Sequence, residues 1–476
     1  MGVCLLALCA SIGAAAQTAS DSKAEIRITL EEQTGLAVTI YNEDLALVKD
    51  RRKVSLPQGK SRLAIRDVSA RIQPETALLH SLQKGRSLRV LEQNFNFDLL
   101  SPDTLLDKYI GETIRVARTN PATGEETIEQ ARVLSNNQGV ILQYKDRIET
   151  AASGRLIFDR VPERLRDRPT LVTHIENARG GMQDIELSYL TGGLSWQADY
   201  TAALSADDTT LDLQSWITLT NQSGSPYRDS KVQLVAGDLN RVRQASPRAQ
   251  VDTMMATMAR DEVSEEALLE YHLYTLPRTT DIENKQSKQV SLFTAQRVPV
   301  KKNLILEGGG YYYRGHYPNP IGAEKVSVNL QFSNKTSSNL GMPLPKGIVR
   351  VYKEDSAGHA QFVGEDRIDH TAKNRPVRLH LGKAFDVSAD RIQTDFEKRA
   401  ASGRYKHALE TAYKITLHNA KKKSQTVTVR ETLPSDWQIL EESQRHQKIS
   451  ANQIEWLLDV PAESSSVLTY RALVRY

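Results

Sequence analysis

The residues with the most chemical potential in this chain fall in one stretch, Gly308-Gly309-Gly310-Tyr311-Tyr312-Tyr313-Arg314-Gly315-His316-Tyr317-Pro318. Tyr311, Tyr312, Tyr313 and Tyr317 pair a broad apolar ring with a polar tip, beside glycines that let the backbone bend. Such a set stacks on sugar rings or grips a protein partner, and these four are the candidate binding residues. The competing expectation is a long loop whose tyrosines pack on a sandwich rim, because the stretch holds no acidic residue to grip sugar hydroxyls.

Other chemistry is sparse. His370 and His380 are spaced to approach within one sheet, with Asp366 or Asp369 as further metal ligands, but solvent-facing strand positions account for them better. Glu365 and Asp366 with Asp386 offer an acid–base pair, against the commoner roles of carboxylates in turns and salt bridges. No H-E-x-x-H, G-x-S-x-G or Walker loop occurs. The triple glycine lacks the strand-to-helix setting of a dinucleotide site. No catalytic residue, metal ligand or cofactor is assigned.

The elements that must position these residues are strands. From Leu187 to Asn240, Trp196, Ala198, Tyr200, Ala202 and Leu204 alternate with polar neighbours. After the turn Ala206-Asp207-Asp208-Thr209, so do Leu211, Leu213, Ile217 and Leu219, and a second polar break, Asn221 to Pro226, leads into a third run with Val232, Leu234 and Ala236. Alternating runs joined by polar turns make an antiparallel meander with one face on a core. The same grammar covers most of the chain, so the fold class is all-β: several β-sandwiches with few short helices. A chain of 476 residues exceeds one core, and two to four domains are expected. The divisions read from the pattern are an N-terminal sandwich over 20–186, a central sandwich over 187–400, and an immunoglobulin-like domain over 401–476. Within the first, Ser101 caps a short helix with Pro102 at its first position. The strands after it suggest a small inserted barrel over about 96–150. Within the second, Met254, Met255 and Met258, with loosely helical apolar spacing, suggest a helical or mobile excursion over about 243–270.

Charge narrows the partners. Lys and Arg total 62 against 58 Asp and Glu, and both signs are interspersed, so no basic stripe for nucleic acid exists. Val3 to Ala16 is uncharged and apolar and ends in Ala14-Ala15-Ala16, the outline of a signal core and cleavage site over residues 1–19. No later stretch reads as a stable membrane span. Both cysteines, Cys4 and Cys9, lie in that leader, so the exported chain would contain no thiol. The expected location is the periplasm or another exported compartment.

The stretches "LSYLTGGLSWQADY", "NQSGSPYRDSKVQLVAGDLN", "PLPKGIVRVY" with "GEDRI", "LGKAFDV" and "VRETLPSDWQI" resemble the bacterial domain of unknown function 4139, found in mucoidy inhibitor A-like envelope proteins. The opening "IYNEDLALVKDRRKVSLPQGKSRLAIRDV" is similar to the N-terminal part of single-domain relatives. Members of the mucoidy group often carry a coiled coil between their halves, and no sustained heptad occurs here. The resemblance implies an envelope location and supplies no catalytic residue. The expected function is therefore that of an exported, non-enzymatic protein binding an envelope protein or a surface polysaccharide. The alternative is a hydrolase of envelope polymers acting through carboxylates that no motif reveals.

Overall fold

A computed structural model describes residues 25–42, 44–83, 88–162, 165–237, 264–268, 271–400 and 405–476. The leader-like residues 1–19 and the methionine cluster at 254–258 lie outside these. The all-β expectation holds: Pro102–Lys108 is the one α-helix among the described residues, and strands account for 64% of the structure. Contacts divide the chain into two compact units. The first is Met1–Leu36 with Val48–Leu190, and the second is Ala37–Leu47 with Thr191–Tyr476.

In the first unit, a four-stranded sheet runs in the order Ile26–Ile28, Gly59–Arg66, Thr170–Asn177, Leu88–Asn96. The strand Leu45–Leu56 lies beside Gly181–Thr191, whose other neighbour is Leu78–Ser81. The alternation that identifies the strand from Leu45 also sets a charged pair inside. Val48, Asp50, Arg52, Val54 and Leu56 share the buried phase. All the N–H groups of the Arg52 guanidinium find acceptors. Nε and Nη2 donate to Asp50 Oδ2, Nη1 donates to the Ile28 and Thr29 carbonyls, and Nη2 also reaches the Arg66 carbonyl. One side chain thus ties three segments of the unit together through groups that would otherwise be buried without partners.

The insertion is a sheet, not the small barrel the strand spacing suggests. Its order is Ile148–Glu149, Ile141–Gln143, Glu126–Ser135, Thr113–Thr119, Arg155–Ile157, and it stays open. The two outer strands are only two and three residues long, too short to pair with each other and close the sheet. The helix Pro102–Lys108 covers one face, burying Leu106 with Tyr109, Ile114, Val116, Ala131, Val133 and Leu142. Its start follows the sequence signal: the Ser101 hydroxyl accepts from Thr104 N, with Pro102 in the first turn.

In the second unit the expected three-run meander is a two-stranded hairpin, because the third run, Tyr227–Ala236, leaves for another sheet and pairs parallel with Ala37 to Tyr41 and antiparallel with Tyr271–Thr275. Leu194–Leu204 pairs antiparallel with Thr210–Asn221 and parallel with Gly347–Glu354. The stretches carrying the family resemblance meet here. Tyr200 Oη donates to the Pro345 carbonyl, Tyr274 Oη donates to the Pro343 carbonyl, and a Cβ on Gly347 would lie 2.1 Å from the Ala198 carbonyl oxygen. Polar groups also line up across the strands, from Thr218 to Asp199 to Arg350 to Glu365. Ser264–Leu268, part of the stretch whose spacing reads as helical, is a strand. It takes its backbone partners from Tyr271–Thr275, a tertiary pairing that overrides a weak local preference.

Gln286–Gly308 is shared by two limbs of the large sheet. One continues through Ala323–Ser333, Pro376–Arg399, Ala408–Asn419, Ser464–Arg475 and Asp436–Glu442, and the other through Gln425–Thr432 and Gln453–Val460. Their inward residues form one core, including Leu306, Val326, Val387, Ile415, Val427, Trp456, Leu468 and Val474.

Replacing Arg52 by Met would leave the Asp50 carboxylate buried and unpaired, at a cost of about 3–5 kcal/mol. Hydrogen exchange followed peptide by peptide should show protection falling across residues 26–66. Unchanged protection there would refute the stapling role.

Candidate functional site

The glycine–tyrosine stretch leaves the strand Gln286–Gly308 and forms a single 3-10 turn, Gly310–Tyr313, over the end of the core shared by the two limbs. Its glycines have steric reasons. Gly308 sits opposite Glu431 in parallel pairing, and a Cβ there would fall 2.0 Å from the Glu431 carboxylate. At Gly309 the same atom would meet the Tyr311 ring at 2.1 Å. The backbone can approach a buried carboxylate because Gly308 has no side chain, and the Tyr311 ring can fold back on the turn because Gly309 has none.

What the turn covers is a nest of ionisable groups that the sequence reading did not assemble. Arg391, on Pro376–Arg399, is fully buried. Its Nε donates to Glu324 Oε1 at 2.7 Å and its Nη1 to Glu431 Oε1 at 2.5 Å. The guanidinium carbon stands 4.5 Å from the centre of the Tyr312 ring, within cation–π range. Tyr313 Oη donates to Glu431 Oε2 at 3.0 Å and lies 2.9 Å from Tyr470 Oη. With the Tyr313 proton directed at the carboxylate, Tyr470 is the donor of that last bond. Tyr413 Oη and Tyr476 Oη donate to the carbonyls of Tyr312 and Tyr313, fixing the turn from below.

The electrostatics follow from burial. Desolvation pushes the Glu431 carboxyl above its ordinary range, against the pull of Arg391 and the Tyr313 hydroxyl. Burial also opposes the Arg391 charge, but Glu431 and Glu324 outweigh it and hold the guanidinium firmly protonated. Tyr313 and Tyr470 are raised by burial and by the Glu431 charge and remain neutral donors. The result is an ion pair whose remaining lone pairs and protons are largely satisfied from within, the condition under which such a pair is tolerated in a core. Two carboxylates do face one another, yet a guanidinium fills the space between them. Arg391 and Glu431 side chains are both 0% exposed, so this cluster offers no path for a substrate.

The four candidate tyrosines therefore divide. Tyr312 and Tyr313 point inward and are 5% and 0% exposed. Tyr317 is partly buried, its N–H donating to Gln393 Oε1 and its hydroxyl to the Tyr311 carbonyl. Tyr311 alone presents a large open surface, at 57% exposure. They do not form a shared outward platform, because the triple glycine folds the turn onto the core. The strand Pro376–Arg399 sets Phe396 against His316 in a stacked contact, while its neighbours Asp395 and Glu397 pair with Arg471 and Arg399.

The remaining candidates have separate partners. His370 Nδ1 accepts from the Lys346 backbone N–H, and its Nε2 meets the Asn42 amide. His380 receives no carboxylate at its ring; its backbone N–H donates to Asp366, which also accepts from Arg367 N. Asp369 joins neither ring: the contact it makes is through its carbonyl, which accepts from the Thr371 hydroxyl. Glu365 pairs with Arg350. Among the described residues no group of three or more His, Cys, Asp or Glu is disposed to hold a metal ion.

Sequence could have announced the hidden pair. Val387, Ala389 and Arg391 share one strand phase, and Val427, Val429 and Glu431 share another, so each charge occupies the next inward position of an apolar series. Opposite charges at inward positions of two strands are a signature of a buried pair.

Fold and site together define an all-β protein built around a sealed ion network. Residues 185–476, more than half of the chain, match the family model described as Domain of unknown function (DUF4139), and the chain belongs to that family. No curated protein matches it. No helix among the described residues is long and apolar enough to cross a membrane, which leaves strand-built spans unaddressed.

Arg391→Met should destabilise the second unit by about 3–5 kcal/mol at pH 7, because Glu431 is left charged and unpaired. A carboxyl whose folded pKa is raised is favoured by folding below its unfolded pKa, and loses that advantage as pH rises through the folded one. The deficit should therefore shrink at pH 5, as Glu431 takes up a proton. Urea unfolding at both pH values reads it, and a deficit that is constant or larger at pH 5 would contradict the assignment.

Proposed function

We propose that the chain is an exported, non-enzymatic protein of the bacterial envelope that binds a protein partner through its second unit. Export is supported by the apolar, small-residue leader pattern and by a chain otherwise free of cysteine. An envelope role of the mucoidy inhibitor A-like kind is consistent with family membership. The absence of a polar cleft at the sealed network favours binding over hydrolysis of envelope polymers at that cluster.

One observation carries the protein-partner reading. Lys325 pairs with Ser388 and Ser327 with Lys383, so the segment 384–387 bulges against Val326 alone. Ala384 and Val387 turn into the core at 9% and 0% exposure, while Phe385 stands out at 98%. A phenylalanine held in water forgoes about 2 kcal/mol of burial, and the bulge that directs it outward belongs to the "LGKAFDV" stretch. An aromatic side chain projected from a rigid bulge fits an anchor for a pocket on another protein. A surface polysaccharide is the second ligand class, and the open ring of Tyr311 is the observation in its favour.

Crosslinking in native envelopes followed by affinity capture should recover one dominant protein with the wild-type chain. Recovery should drop at least tenfold with Phe385→Ser and persist with Tyr311→Ala. Capture that survives Phe385→Ser would contradict the anchor. Loss with Tyr311→Ala alone would move the reading to the tyrosine turn.

A further inference from the structure

Outside the sealed network, one cluster brings together residue types that do covalent chemistry. His418, on Ala408–Asn419, lies between two strands of the large sheet. Its Nδ1 is 2.8 Å from Ser465 Oγ on Ser464–Arg475, and its Nε2 is 2.9 Å from Asp390 Oδ2 on Pro376–Arg399. These residues are far apart in sequence. Two pairings assemble them: Ser388 opposite His418, with Asp390 two residues along the same strand, and His418 opposite Ser465.

The hydrogen-bond chemistry orders the three groups. An ionised carboxylate only accepts, so Asp390 requires the proton of a neutral His418 to be on Nε2. Nδ1 then carries the lone pair, and the Ser465 hydroxyl is the donor to it. This is the arrangement in which an imidazole takes the hydroxyl proton as oxygen attacks, with a carboxylate holding the ring in the required tautomer. The three are carried by strands with regular pairing, so their spacing is set by the sheet and not by a loop. Asp390 and His418 are about half exposed and Ser465 is exposed, which leaves the hydroxyl open to an incoming reagent.

We propose that Ser465 is an activated nucleophile that accepts an acyl group from an activated ester, with His418 as its general base and Asp390 as the positioning residue. Ser465 Oγ attacks the carbonyl carbon while its proton passes to His418 Nδ1. The tetrahedral adduct collapses with cleavage of the carbon–oxygen bond to the leaving alcohol, which departs as the alkoxide or phenolate. His418 then gives its proton to solvent, leaving an O-acyl serine. The acyl acceptor is independent of the Phe385 anchor, and neither reading depends on the other.

The test uses the full-length exported chain with 4-nitrophenyl acetate, reading nitrophenolate release and mapping the acetyl group by peptide mass spectrometry. Wild type should be acetylated at Ser465 in preference to its neighbours Ser464 and Ser466. Ser465→Ala should abolish that adduct, and His418→Gln should slow it about 100-fold, the contribution of a positioned base. Asp390→Asn keeps the size of the side chain but stabilises the other ring tautomer, and should slow acetylation at least tenfold with unchanged circular dichroism. A merely structural role for Asp390 would not produce that combination. Absence of a Ser465 adduct, equal labelling of Ser464 and Ser466, or an adduct that forms as fast in His418→Gln would overturn the proposal.

Discussion

The second unit is organised by the contact between Arg391 and Glu431. Placing both charges in a core is costly unless each is paired and hydrogen-bonded. The surrounding sequence answers that constraint. Glu324 takes the far side of the guanidinium, the Tyr312 ring covers its face, and the Tyr313 hydroxyl completes the Glu431 carboxylate. Gly308 must lack a side chain for the carboxylate to fit. The tyrosine-rich turn is thus a consequence of the pair: it closes the core over a charge that water is not allowed to reach.

That constraint links the two limbs of the large sheet. Arg391 comes from the limb through Ala323–Ser333 and Pro376–Arg399, and Glu431 from the limb through Gln425–Thr432, so the pair bridges the two limbs inside their shared core, alongside the Trp456–Glu442 and Asn419–Val460 hydrogen bonds. Apolar contact alone tolerates sliding, whereas a directional, fully buried pair selects one register. The Arg52–Asp50 pair does the same in the first unit, where one guanidinium reaches three backbone carbonyls. Both units follow one rule, an inward-facing arginine that finds its acceptors across neighbouring strands.

Much of the fold was legible because strand alternation is a local signal. The hairpin from Leu194 to Asn221, the capped helix after Ser101 and the all-β class all follow from residue type and phase, whereas the third run expected beside that hairpin, Tyr227–Ala236, pairs in another sheet. What was not legible depends on distant pairing. Ser264–Leu268 reads as helical alone and is a strand because Tyr271–Thr275 is beside it. The insertion stays open because its outer strands are too short, which composition does not show. At the candidate site, the tyrosines drew attention for their rings, yet Tyr312 and Tyr313 face inward, and the groups they serve come from other strands. The inward phase of Arg391 and Glu431 was readable in principle. His418, Asp390 and Ser465 had no such signal, since alternation marks them only as outward and polar.

The central claim is that the buried charges act as scaffold and hold the two limbs in register. The most direct measurement compares Arg391→Met, Glu431→Leu and the double variant by urea unfolding, with capture of the proposed partner followed in parallel. If the pair is scaffold, each single variant leaves a lone buried charge or an emptied acceptor and is strongly destabilised. The double variant, with apolar groups on both sides, recovers most of the loss and still captures the partner. A double variant as unstable as the sum of the singles, or one that folds fully and yet loses all capture, would contradict the account.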